Sequence, residues 1–280
     1  MRVLITGASG QLGKDVHNEF SILNIEMICP SSRDMDIREI DAVSAVFDVV
    51  RPDAVIHCAA YNLVDRAEAE PEVCREVNVL GTKNVAALCR KYGAYMLSIS
   101  SDYVFDGTKQ GPYQTDDSRN PLSVYGQSKA DGEDLVLGED SGNAVIRTSW
   151  LFGPCDHNFV EAILRKAEGS DQIKVVSDQI GSPTYTADLA KMIAECTLKR
   201  IPGLLHGTNE EICSRAEFAE RILREADVSC AVQEILSEDI PGKARRPKNS
   251  WLDKSCFDRF GLKRLPAWQD ALARYFIRRQ

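Results

Sequence analysis

The amino-acid sequence predicts an α/β protein, a doubly wound parallel sheet followed by a smaller mixed lobe. Three observations predict it. Near-continuous apolar segments alternate with helical patterns as far as Trp150, as expected of strands buried on both faces of a parallel sheet. A glycine-rich turn joins the first strand to the first helix. Beyond Trp150 the alternation fails and the segments become shorter and mixed.

The strand "RVLIT" leads into "GASGQLG" and then a helix whose Leu12, Val16 and Phe20 fall on one stripe. The same unit recurs three times: "IEMIC" before "IREIDAVSAVFDVV", "DAVIHCAA" before one long helix through "PEVCREVNVLGTKNVAALCRKYG", and "AYMLSIS" before the helix carrying "YGQSKADGEDLV". "NAVIRTSW" supplies a fifth strand. Pro52 precedes a strand and Pro71 opens a helix, positions where a missing N–H costs little. The stripe Val73, Val77, Leu80 and Leu88 reads as core.

In the second half a helix starts near Thr186, capped by Thr184 or Thr186. "CSRAEFAERILREA" is another, with Ser214 as cap and Glu217 completing a capping box. A basic loop, "PGKARRPKNS", precedes the final helix "AWQDALARYFIRRQ". The expected division is a dinucleotide-binding domain over 1–150, with a returning helix near 184–200, and a mainly substrate-binding lobe over 151–280.

Composition narrows the function. The chain has 280 residues, with 34 basic against 42 acidic and a net charge of −8, so no broad basic field suits nucleic acid or an anionic membrane. No run approaches a membrane span, and the opening "MRVLIT" lacks the features of a secretory signal, so the expected location is cytoplasmic. Nine scattered cysteines without a paired spacing read as free thiols in a reducing compartment. Cys155 and His157 are the one suggestive ligand pair, and two ligands are too few for a metal site, so none is expected.

Gly7, Gly10 and Gly13 lie between a strand and a helix, the setting in which a pyrophosphate approaches backbone N–H groups at a helix N-terminus. The second strand ends in Ser31, Ser32 and Arg33, whose hydroxyls and guanidinium suit a ribose 2′-phosphate. That points to NADP(H), while Asp34 and Asp36 keep NAD(H) open. Ser100, Ser101 and Asp102 stand at the carboxyl end of the fourth strand, where open parallel sheets bind ligands. Tyr125 and Lys129 are four residues apart and share a helix face. A cation there would lower the tyrosine pKa and equip it as a proton donor in carbonyl reduction. Taken alone the pair reads as two exposed helix residues before it reads as a catalytic one.

Together these residues resemble an extended short-chain dehydrogenase/reductase with a Rossmann-type cofactor domain, and within that superfamily the dTDP-4-dehydrorhamnose reductase family. The resemblance rests on "TGASGQLG", "RPDAVIHCAAYNLVDRAEAEPE", "VNVLGTKNVA", "SSDYVFDG", "PLSVYGQSK", "VIRTSWLFG", "NFV", "DQIGSPTYTADLA" and "ARRPKNSWLD". It implies a catalytic triad of Ser101, Tyr125 and Lys129 and hydride transfer to the C4 ketone of a deoxysugar nucleotide in dTDP-rhamnose and polysaccharide biosynthesis. It further implies cofactor contacts at Gly10, Gln11, Leu12, Asp36, Ile37, Ala59, Ala60, Tyr61 and Asn62, and sugar-nucleotide contacts at Val64, Asp102 and Trp150. Arg246 is the expected diphosphate ligand, since a guanidinium binds it bidentately.

Two departures stand out. Ser101 replaces the threonine common in the family and keeps its hydroxyl, and Tyr61 follows "CAA" where smaller or histidine-like residues are common. A dehydratase of the same superfamily would need a second carboxylate after Asp102, where this chain has Tyr103. A 4-epimerase shares the triad. The reading from another class is a non-catalytic, NADP-binding regulatory subunit similar to that of methionine adenosyltransferase. The sequence leaves the base and sugar of the substrate open, and a homodimer is compatible with it.

Overall fold

The computed structural model describes residues 1–240 and 244–279; residues 241–243, part of the sequence segment "PGKARRPKNS", and residue 280 lie outside the described residues. Five strands follow the predicted order: β1 (Arg2–Thr6), β2 (Glu26–Ile28), β3 (Ala54–His57), β4 (Tyr95–Ser101) and β5 (Ala144–Thr148). A sixth, Gly203–His206, comes from the C-terminal half and pairs in parallel with β5. The resulting sheet runs Gly203–His206, β5, β4, β3, β1, β2. It is the Rossmann-type parallel sheet, with smaller two- and three-stranded sheets built from the C-terminal part of the chain. The sixth strand escaped the sequence reading because its four residues, "GLLH", carry no flanking pattern of their own.

The sheet is apolar because both faces are covered. Val3, Leu4 and Ile5 of β1 are fully buried, as is every residue of β3 and β5. One face packs on α1 (Gln11–Ile22) through Leu12, Val16 and Phe20, and on the helix Thr186–Lys199. Cys256, Phe257, Leu262 and Leu265 join this layer from far along the chain. The other face holds Val43 and Phe47 of α2 (Ile40–Val50), Val85 and Leu88. A second core of Phe152, Tyr185, Phe218, Trp268 and Tyr275 organises the rest of the C-terminal half.

The cap expected at Thr184 or Thr186 is not made. Tyr185 is the N-cap, without a side-chain bond, and the Thr186 hydroxyl instead donates 2.5 Å to buried Asp15 of α1. Arg278 donates 2.6 Å to the same carboxylate, so three distant helices meet on one buried charge. The capping box of Ser214 and Glu217 is present.

The long helix predicted from Pro71 contains a π-helical segment, Glu76–Gly81, between Pro71–Arg75 and Thr82–Tyr92. The wider turn shifts the phase of the apolar stripe. Val73 and Leu80 therefore face outward and Val77 is half-buried, so only Leu88 of the four expected core residues is in the core. Asn78, inside the segment, turns its amide to the loop after β3. It accepts from Tyr61 N at 2.8 Å and donates to Tyr61 O at 3.2 Å and Ser128 Oγ at 2.9 Å.

The helix Val124–Glu139 is tied to the sheet by charge. Glu133 and Arg147 of β5 are both nearly inaccessible and paired through two bonds of 2.8 and 2.7 Å. Ser100 of β4 donates 2.6 Å to the same carboxylate, and Arg119 adds 3.2 Å from outside. Breaking a buried pair from one side strands the other charge. Glu133→Leu or Arg147→Met alone should cost about 3–5 kcal/mol of stability, and the double variant less than the sum of the two. Urea unfolding of the three proteins checks this, and strict additivity would contradict the pairing.

Candidate functional site

The strand order reverses between β1 and β3, so their carboxyl ends open a crevice at the topological switch point. Gly7 follows β1 with φ of +68°, and a Cβ there would lie 2.6 Å from Ala59 N. Only glycine allows the turn and the loop after β3 to touch. Gly10 is the N-cap of α1 and provides no side-chain cap, which leaves the helix N-terminus open toward the cleft.

A cleft of about 1550 Å³ runs from this turn across the ends of β4 and β5 into the C-terminal lobe. Ligand pockets are commonly about 300–1,000 Å³, so this one has room for two ligands. Gly7, Gly10, Gln11, Leu12, Gly13, Ala60 and Asn62 line the end at the switch point. Ser101, Tyr125 and Lys129 line its middle, and Val64, Asp102, Trp150 and Arg246 line the part beyond.

The remaining predicted residues stand outside the cleft wall. Ser32 and Arg33 are exposed in the turn after β2. The Ser31 hydroxyl, read as a phosphate ligand, donates 2.6 Å to Asp34. Asp36 is held by Arg38 at 2.6 Å, which the sequence reading did not single out, and its carboxyl titrates below the usual range for that reason. Ile37 is buried, Ala59 packs under Gly7, and the Tyr61 hydroxyl donates 2.8 Å to Glu70.

Tyr125 and Lys129 are buried rather than an exposed helix pair. Ser123 caps their helix by accepting from Gly126 N at 3.1 Å, and Glu68 accepts from Val124 N at 2.9 Å. Ser101 donates 2.8 Å to Asp102, whose other carboxyl oxygen accepts from Ser250. The Tyr103 ring meets Tyr125 edge-on at 5.4 Å.

The electrostatics differ from the expected depression of the Tyr125 pKa by Lys129. Burial pushes the phenol up, the Asp102 carboxyl pushes it further, and the Ser101 hydroxyl pulls it back. Tyr125 therefore keeps its proton at neutral pH. Lys129 is drawn down to about 8 by burial, against the opposing pull of Glu133 four residues on. Nearby His57 is lowered to about 3 by burial and stays neutral. Asp102 is itself raised by burial, while Ser250 and Ser101 oppose the rise.

Beyond the triad the wall becomes cationic, with Arg165, Lys166, Lys174, Arg245, Arg246 and Lys248 around it. That field suits a substrate carrying phosphate. Arg246 is not free, since it donates 2.8 Å to Asp65 and 3.0 Å to Ala244 O. Sequence reading missed Asn78, Glu133, Arg147, Arg215 and Ser250. Only Arg147 gave a signal, as a charge in the middle of an otherwise apolar strand. Cys155 lines the cleft with His157, and among the described residues no group of three or more His, Cys, Asp or Glu could hold a metal. No helix among the described residues is long and apolar enough to cross a membrane.

Over residues 1–280 the sequence matches the family described as RmlD substrate binding domain. It is 37% identical over 278 residues to the spore coat polysaccharide biosynthesis protein SpsK of Bacillus subtilis, covering 99% of this chain and 98% of that one. It is 37% identical over 291 residues to a dTDP-4-dehydrorhamnose reductase of Aggregatibacter actinomycetemcomitans, covering 97% of each. The crystal structure of a dTDP-4-dehydrorhamnose reductase of Bacillus anthracis in complex with NADP superposes with a TM-score of 0.96, at 37% identity and 99% coverage of both chains.

Gly126 sets how closely Tyr125 approaches β4. A Cβ at Gly126 would lie 2.2 Å from Tyr103 O, a backbone atom that cannot swing aside. Gly126→Ala should destabilise the protein by roughly 1–3 kcal/mol and displace Tyr125 from Ser101. Thermal unfolding checks the first effect. A variant with unchanged stability would show that the helix can shift without strain.

Proposed function

The chain belongs to the dTDP-4-dehydrorhamnose reductase family, NAD(P)H-dependent oxidoreductases of the extended short-chain dehydrogenase/reductase superfamily, and on that premise we propose that it reduces the C4 ketone of dTDP-4-dehydro-L-rhamnose with Tyr125 as proton donor. The observation that carries the reading is the buried, protonated Tyr125 beside Ser101 in the same cleft as the open N-terminus of α1. We assign cofactor binding to residues 1–150 with the returning helix, and substrate binding mainly to 151–280.

The residues around the glycine turn fit a dinucleotide. The contact under Gly7 leaves no room for a side chain, and the uncapped helix offers N–H donors to a diphosphate. Gly7, Gly10, Gln11, Leu12, Gly13, Ala60 and Asn62 would hold it, with Lys129 at the ribose. When bound, the reduced nicotinamide supplies the hydride.

The chain's own residues do the rest. Ser101 turns its single O–H from Asp102 to the carbonyl oxygen when substrate binds, a placement worth on the order of 3 kcal/mol where charge develops. Tyr125 transfers its proton to the forming alkoxide. Its raised pKa keeps that proton available, and the Lys129 ammonium favours the phenolate left behind. Asp102, held by Ser250, accepts the Ser101 O–H until the carbonyl oxygen takes its place.

NADPH is the preferred cofactor in this reading, through Ser32 and Arg33. Asp36 is paired with Arg38, which offsets one of the two charges that would repel a 2′-phosphate.

Two outcomes are expected. With NADPH and dTDP-4-dehydro-L-rhamnose, Tyr125→Phe should keep its fold and cofactor affinity and lose roughly 10²–10⁴-fold in kcat. In the wild type, kcat should fall as pH rises through about 8, because Lys129 is charged below its pKa and neutral above it. Near wild-type turnover in Tyr125→Phe, or a flat profile through that range, would remove the role assigned to each residue.

A third outcome concerns cofactor choice. An exposed charge-assisted contact from Arg33 predicts a preference for NADPH over NADH of several-fold to roughly a hundredfold, shrinking with added salt. Direct Kd measurements and kcat/KM for both cofactors in wild type and Arg33→Ala check it. An NADH preference, or no change in the variant, would place the discrimination elsewhere.

A further inference from the structure

Arg215 opens the helix Arg215–Glu225 and reaches the wall of the cleft, where its guanidinium lies 3.6 Å from the centre of the Trp150 ring and 4.8 Å from that of Phe159. The aromatic faces cover the plane of the guanidinium and leave its edges, which carry the N–H donors, uncovered. Its backbone N–H goes to Gln179 O, and among the described residues the side chain has no ion-pair or hydrogen-bond partner. Arg246, on the same wall, is already neutralised by Asp65.

The stack is held in place at a cost. Trp150 has φ of +50°, a left-handed conformation unfavourable for a bulky side chain, and such strain persists where the surroundings enforce a particular placement. Burial pulls the Arg215 pKa down to about 10, with Tyr103 and Asp102 opposing the fall, so the group remains a cation at neutral pH, near the Asp102 carboxyl but not bonded to it. A part-buried guanidinium with no bonded partner is unfavourable unless an anion or strong acceptor completes it.

We propose that Arg215, braced on Trp150, binds the diphosphate of the nucleotide-sugar substrate, with Arg246 held by Asp65 as the second, weaker contact. The proposal rests on the nucleotide-sugar reading above. It moves the principal role from Arg246, the residue chosen by motif, to Arg215, which no motif singles out. A planar fork of donors matches two phosphate oxygens, which explains why an arginine and not a lysine is stacked here.

Isothermal titration of the intact protein with dTDP, UDP, GDP and thymidine monophosphate tests it without turnover. Arg215→Met, which keeps apolar contact with Trp150, should weaken dTDP by roughly tenfold to a hundredfold, weaken thymidine monophosphate less, and leave the NADPH Kd within about twofold. Arg215→Lys should recover part of the dTDP affinity. If Arg215→Met also weakens NADPH, the lysine variant decides: recovered dTDP affinity supports the assignment, and affinity as poor as the methionine variant overturns it. Wild-type dTDP affinity in Arg215→Met overturns it too. A wild type that binds none of the three diphosphates removes both this site and the nucleotide-sugar reading. A wild type that binds dTDP through Arg215 but reduces no dTDP-4-dehydro sugar keeps the site and sinks only the reductase assignment.

Discussion

Glu133 and Arg147 face each other inside the protein, and taking either charge out of water is unfavourable by several kcal/mol unless geometry and further hydrogen bonds offset it. Here they do. The carboxylate is shared among β5, β4 and the segment carrying Arg119, so the helix Val124–Glu139 cannot rotate or slide without stranding a charge. Tyr125, Lys129 and Glu133 stand four residues apart in series on that helix, and the anchor at one end fixes the two groups that face the cleft. The close contact at Gly126 sets the distance, and the ion pair sets the rotation.

The same burial that makes the anchor strong governs the chemistry above it. In a polarisable but water-poor setting, the phenol resists losing its proton and the ammonium resists keeping its own, so the two move apart on the pH scale. The aromatic edge of Tyr103 occupies the space beside Tyr125, and Asp102 is held by two serine hydroxyls. The site is thus arranged around one protonated phenol. The cationic residues lie elsewhere on the same cleft wall.

Much of this was legible in the sequence because it depends on short-range patterns. The five strands, the glycine turn, the capping box at Ser214 and the four-residue spacing of Tyr125 and Lys129 are all set by neighbours along the chain. What was not legible depends on partners far away. Thr186 has the look of a cap, yet it serves Asp15, 171 residues distant. Val73 and Leu80 follow a helical stripe, yet a π-helical segment around Asn78 turns them outward. Arg246 is the obvious phosphate ligand by motif, but its charge is already taken by Asp65, while Arg215 looks like any helix-start arginine until Trp150 appears beneath it. The direction of the Tyr125 shift was also beyond spacing alone, since burial depth is a property of the whole fold.

The strand Gly203–His206 has a consequence for how the chain is made. It sits at the edge of the sheet beside β5, and the layer beneath it includes Phe257 and Leu265. A ribosome that has released only the first half of the chain has therefore exposed a sheet whose β5 edge is unpaired and whose α1 layer is incomplete. Such an edge is a template for pairing with other chains. The half of the chain that carries the glycine turn therefore emerges short of a strand and of a packing layer that later residues supply.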